Sequence, residues 1–235
     1  MEDVIARIRQ ELSRNADENK KRSGERFFKE EVRLYGLTVP AVDRIAKAHY
    51  KEIRERSKHD IFMLCEDLWQ SGYPEEAFVA CTWSHALHKK YQSEDIEIFE
   101  RWVSEYVTNW ATCDGLCNHS MGDLLDMYPA LVGNLSRWAR SGNRWKRRAA
   151  AVSLIVPARH GRFLSDVFRI ANILLLDTDD LVRKGYGWML KAAAESHQQE
   201  VFTYVMQNKG VMPRTALRYA IEKMPRDLRT AAMER

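Results

Sequence analysis

The segment Trp110-Ala111-Thr112-Cys113-Asp114 sets an indole and a carboxylate four residues apart. On a helix that spacing puts both side chains on one face. A carboxylate beside an aromatic face is suited to stabilising a cation that develops during a reaction. Residues 108–136 contain no Lys or Arg, so the local sequence offers Asp114 no counter-ion. The competing reading is a core tryptophan and a helix-capping aspartate, since Asp is common in a first turn. A second group is basic: Trp145-Lys146-Arg147-Arg148, then Arg183-Lys184 with Trp188 one turn further on. Arginine forks match phosphate oxygens, and neighbouring indoles stack on sugars or bases. A solvated, Arg-rich surface would also explain them. Gly185 and Gly187 flank Tyr186 in what reads as a helix. Each costs about 1 kcal/mol there relative to Ala. Either helices pack closely at this point or something approaches the backbone.

Other chemistries find little support. Cys81, His85 and His88 lie at i, i+4 and i+7, but in the apolar setting Phe78-Val79-Ala80-Cys81-Thr82-Trp83. A core helix with satisfied histidines is the better reading. Cys113, Cys117 and His119 lack a zinc spacing, so no metal ligand is assigned. There is no phosphate-cradling glycine loop and no Gly-x-Ser-x-Gly elbow.

The elements that must position these residues read as helices throughout. Hydrophobic residues make up 45% of the 235-residue chain and charged residues 30%, with only 11 Gly and 6 Pro. That is too apolar for disorder and too poor in turns for a β protein. No apolar run approaches the roughly 18–20 residues of a membrane span. The start, Met1-Glu2-Asp3-Val4, lacks the basic and apolar regions of a secretion signal. The four cysteines form no Cys-x-x-Cys pair, so a disulfide framework is not expected and the cytoplasm is the expected compartment. After an Asp3 cap, Val4, Ile5, Ile8 and Leu12 keep one helical face. Pro40 opens a helix with Val42, Ile45, Ala46 and His49 in register.

Helix openings recur near Pro40, Glu76, Thr112, Arg147, Arg183 and Arg214, a period of roughly 31–36 residues. Partner helices fall at Glu94–Tyr106, Pro129–Arg140 and Arg162–Leu175. The expected architecture is all-α: one helical-repeat solenoid over residues 1–235, about six helix pairs. The second helix of each pair is expected to line a concave face. Residues 60–107 carry 3 basic and 10 acidic side chains, whereas residues 137–191 carry 12 and 4. A polyanion partner fits the +8 block, and the register sets Asp114 beside that basic stripe on the concave face.

Several motifs in order resemble the AlkD-like DNA alkylation repair glycosylases, built of HEAT-like repeats. They are Arg26-Phe27-Phe28-Lys29, Tyr35-Gly36-Leu37-Thr38-Val39-Pro40 ending in Arg44, Asn109–Asp114, Trp145–Ala150 and Arg183–Trp188. The resemblance implies that Asp114 is the catalytic carboxylate and that Trp110 and Trp188 frame the lesion's sugar. It implies that Arg148 contacts phosphate near the scissile nucleotide, with Arg147, Arg183, Lys184, Phe27 and Lys29 as further DNA contacts. The implied substrate is duplex DNA bearing N3- or N7-alkylated purines, acted on by a monomer without a cofactor. Active relatives carry tyrosine where this chain has Phe27, so a hydroxyl is lost there. Two other classes stay open: a non-catalytic DNA-structure-binding repeat protein, and a protein-binding helical scaffold.

Overall fold

A computed structural model describes residues 3–234; Met1 and Glu2 of the acidic start lie outside the described residues, as does Arg235. The chain divides into two compact units, one up to Leu116 and one from Cys117. Both are helical, and among the described residues there is no strand and no helix long and apolar enough to cross a membrane.

The first unit holds α1 (Val4–Arg14), α2 (Glu18–Glu25), α3 (Val39–Ile53), α4 (Lys58–Gln70), α5 (Pro74–Ala86), α6 (Asp95–Glu105) and α7 (Trp110–Leu116). Asp3 caps α1 by accepting from the Ile5 amide at 3.1 Å, and Val4, Ile5, Ile8 and Leu12 are all buried, as their spacing dictates. Thr38 precedes α3 and Tyr73 precedes α5. Neither side chain caps its helix; proline near the first position, which has no amide to satisfy, starts both. The α1, α3, α5 and α7 helices pack in series, with α4 against α5. Phe62, Trp69, Phe99 and Trp102 form an aromatic core.

The second unit opens with a π turn, Cys117–Met121, and continues through α8 (Gly122–Met127), α9 (Val132–Trp138), α10 (Arg144–Val152), α11 (Ile155–Arg159), α12 (Leu164–Leu174), α13 (Asp180–Ala193), α14 (Gln198–Asn208), α15 (Arg214–Ile221) and α16 (Arg226–Met233). Here α10, α13 and α15 stand side by side, while α9 and α12 pair on the other layer. Asn143 caps α10 and Asp179 caps α13, each accepting from backbone amides of the first turn.

The repeat period is real. The helices α3, α5, α7, α10, α13 and α15 begin at Val39, Pro74, Trp110, Arg144, Asp180 and Arg214, spaced 34 to 36 residues apart. The openings read from charge and small residues fall up to three residues late. The cause is that Asn143 and Asp179, not the arginines, start the helices. The expected partner helices match α6, α9 and α12, with a short 3₁₀ turn, Pro129–Leu131, leading into α9.

Candidate active site

In the first unit, α7 carries the acid and the indole. Its cap is Asn109, whose Oδ1 accepts from the Thr112 amide at 3.0 Å. Asn109 is 2% exposed. Asp114 therefore sits at the fifth residue of the helix, and capping is not its role. It is 9% exposed, while Trp110, one turn earlier, is half-buried. The contrast with the tryptophans that build the cores is sharp: Trp83, Trp102 and Trp138 are fully buried. Trp110 keeps part of its indole in solvent on a helix that also carries a buried carboxylate.

Trp110 is nevertheless held. Its Nε1 donates to the Phe27 carbonyl at 3.3 Å. The Phe28 ring stacks on it with centroids 5.8 Å apart and planes 27° from parallel. Phe27 itself points outward and is 75% exposed, beside exposed Lys29. So the two aromatic neighbours divide the work: Phe28 supports the indole, and Phe27 offers its backbone inward and its ring to solvent. The support by Phe28 was not legible in the sequence, because 81 residues separate the two rings. The Asn109 cap had a signal: a short amide side chain three residues before Thr112 at the head of a helix.

In the second unit, α10 carries Arg147 and Arg148, and α13 carries Arg183, Lys184 and Trp188. These positions differ in what their side chains do. Arg148 is 5% exposed, and its Nη1 donates to the Leu181 carbonyl at 2.5 Å. It passes over Gly185: a Cβ there would meet Arg148 Cγ at 3.4 Å. Arg147 forms an ion pair with Asp177 at 2.6 Å and donates to the carbonyls of Ser141 and Gly142. Arg183 Nε donates to the Asp177 carbonyl at 2.5 Å. Arg147 and Arg183 thus converge on Asp177, at the turn that leads into the Asp179 cap of α13. Lys184 pairs with Asp180 at 2.9 Å across one turn, which raises its pKa, and it remains about one-third exposed. Trp188 is half-buried, like Trp110, whereas Trp145 is buried at 7% exposure with the Arg144 guanidinium 4.4 Å over its ring.

The two glycines of α13 have separate explanations. Gly185 faces the Arg148 side chain with room for a Cβ in ordinary contact, whereas Gly187 lets α15 approach. A Cβ at Gly187 would lie 2.7 Å from Tyr219 Cβ and 2.8 Å from the Ala216 carbonyl oxygen. Asp177, the hub of the basic group, was missed from sequence. The only hint was its place two residues before a capping aspartate.

Comparison with known proteins bears on what these residues do. No curated protein matches the sequence. A solved structure described as a predicted DNA alkylation repair enzyme from Enterococcus faecalis matches with a TM-score of 0.80. It is 15% identical and covers 90% of this chain and 97% of its own. At that identity the likeness establishes the fold. The sequence also matches the family described as DNA alkylation repair enzyme over residues 8–224, a span that holds α7, α10 and α13 entire. The chain belongs to the DNA alkylation repair enzyme family.

Proposed function

We propose that this protein is a DNA glycosylase that hydrolyses the N-glycosidic bond of cationic N3- or N7-alkylated purines in duplex DNA. The observation that carries the reading is the pairing on α7 of a buried carboxylate, Asp114, with a half-exposed indole, Trp110, one turn away. An alkylated purine that bears a positive charge leaves without much acid help. As the bond from C1′ to the base nitrogen stretches, its electron pair neutralises the purine and positive charge develops on the deoxyribose. A carboxylate stabilises that charge, and indole faces do the same. Water then adds to C1′ and loses its proton, either to the carboxylate or to solvent, leaving an abasic sugar and a free base. Trp188 is the second indole of this scheme. Arg148, Arg183, Lys184 and Lys29 are its phosphate contacts, and Phe27 an exposed ring against the duplex. Arg147 serves it indirectly, by holding the turn before α13.

The test is release of N7-methylguanine and N3-methyladenine from methylated duplex DNA, followed by chromatography. Asp114→Asn keeps the shape and removes the charge. It is expected to slow release by about 10²–10³, the usual effect of removing one preorganised electrostatic partner. Duplex affinity should hold or rise, because a negative charge near phosphates is gone. Full activity in the variant sinks the mechanism. Tight DNA binding by a wild-type protein that releases no base sinks the enzyme reading in favour of a non-catalytic DNA-binding one.

A further inference from the structure

The segment between α2 and α3 is irregular from Phe28 to Thr38, yet its second half is fastened more tightly than a surface connection needs. Glu75 Oε1 accepts from the Gly36 amide at 2.9 Å and the Leu37 amide at 3.4 Å. The Tyr35 hydroxyl donates to Glu76 at 2.9 Å, and the other oxygen of Glu76 takes Arg9 at 3.0 Å. The Tyr35 ring stacks on Tyr73 at 4.4 Å. Arg33 donates to the Ser71 carbonyl at 2.6 Å and lies over the same Tyr73 ring. The Asp17 amide donates to the Tyr35 carbonyl at 3.2 Å. Gly36 has a φ of +92°, and a Cβ there would lie 2.2 Å from the Asp17 carbonyl oxygen, so only glycine fits.

Both carboxylates stand in the first turn of α5, Glu75 at 3% and Glu76 at 1% exposure. Burying a carboxylate is expensive unless it is hydrogen-bonded. The fold meets that cost twice in order to fix one end of an irregular segment. At the other end, the Phe27 carbonyl and the Phe28 ring hold the Trp110 indole. A half-exposed side chain without such contacts changes rotamer in picoseconds to nanoseconds.

We propose that Arg26–Leu37 is a strap that sets the orientation of the Trp110 indole, with Glu75 and Phe28 as positioning residues acting through it. This rests on the reading above that Trp110 belongs to the reactive site. Neither residue needs to touch DNA. Phe28 works by stacking. Glu75 works from the far end, by keeping the strap at one height over α7.

The experiment uses the full chain labelled with 5-fluorotryptophan, the Trp110 line being assigned by its loss in Trp110→Phe. Glu75→Ala removes the clamp at a distance from the indole. Gly36→Ala displaces the same strap with the Glu75 side chain still present, and Phe28→Leu, which leaves the clamp whole and removes only the stacking ring, decides the matter if neither of the others folds. Each is expected to shift or broaden the Trp110 fluorine line. The line of Trp83, a buried indole bonded to the Ala46 carbonyl at 2.8 Å, should stay in place. Single-turnover release of N7-methylguanine at saturating enzyme should fall about tenfold, since misplacement by even 1 Å is costly. A Trp110 line that does not move overturns the proposal. So does a line that moves together with that of Trp83, or one that moves while an active enzyme keeps its full rate. If the wild type releases no base, the glycosylase reading has failed, and the fluorine lines still decide whether the strap orients the indole.

Discussion

Adding one carbon to each glycine of α13 separates the two explanations given for them. At Gly187 the new Cβ would fall 2.7 Å from Tyr219 Cβ, 2.8 Å from the Ala216 carbonyl and 3.2 Å from Ala216 Cα. Carbon–carbon contact is comfortable near 3.5–4.0 Å, and two of the three obstacles are backbone. So α13 and α15 must move apart by roughly 1 Å. Overpacking of this kind costs about 1–3 kcal/mol, here at the upper end because backbone cannot swing away. Replacing glycine by alanine in a helix returns about 1 kcal/mol. The net expectation for Gly187→Ala is a loss of about 2 kcal/mol. In a chain of this size that is a fall in Tm of roughly 4–8 °C. At Gly185 the nearest atoms are side-chain carbons and a nitrogen between 3.4 and 3.6 Å, which is ordinary contact. Helix propensity and mild crowding of Arg148 then nearly cancel. Gly185→Ala should fall within about 0.5 kcal/mol of wild type. Thermal unfolding followed by circular dichroism at 222 nm reads both. Equal shifts in the two variants, or a neutral Gly187→Ala, would refute the argument from close helix approach.

Four further expectations follow from the same geometry. Trp110→Ala and Trp188→Ala should impair base release much more than stability, whereas Trp138→Ala should cost about 3–5 kcal/mol in urea unfolding as a truncated core side chain; a loss of that size at Trp110 or Trp188 would make them core residues. Arg147→Ala leaves the largely buried Asp177 carboxylate without its cation, a type of loss worth about 3–5 kcal/mol, while its DNA affinity falls only as far as α13 is disturbed. Lys184→Gln should leave stability nearly unchanged and lower the log–log salt slope of duplex binding by about 0.9, one phosphate contact; an unchanged slope removes Lys184 from the interface. Burial raises the pKa of Glu75, against the pull of the backbone amides that donate to it. Its folded form therefore holds a proton that the unfolded chain has already lost, so its share of stability declines as pH rises from the ordinary value of about 4.3 through the raised one. Glu75→Gln should lack that decline, and urea midpoints of the two proteins that run parallel across this range would contradict it.

The sequence by itself settled what depends on short-range periodicity. The Val4–Leu12 face, the proline-led start of α3 and the recurrence of helix openings every 31–36 residues are one-dimensional patterns. Each reflects a helix that cannot bury its apolar stripe alone. The α7 pair was also legible, because four residues along a helix is a fixed geometry. What the other side chains singled out in the sequence do was not. Arg147 and Arg148 are adjacent and chemically identical. Yet one closes on Asp177 and the other runs over Gly185 to the Leu181 carbonyl, since neighbours on a helix point about 100° apart and meet different elements. Gly185 and Gly187 look alike in sequence and answer to a side chain and to a helix respectively. The Phe27 carbonyl and Phe28 ring reach Trp110 across more than 80 residues of chain. Burial and long-range pairing decided these roles, and both depend on which helix faces arrive together in the folded protein.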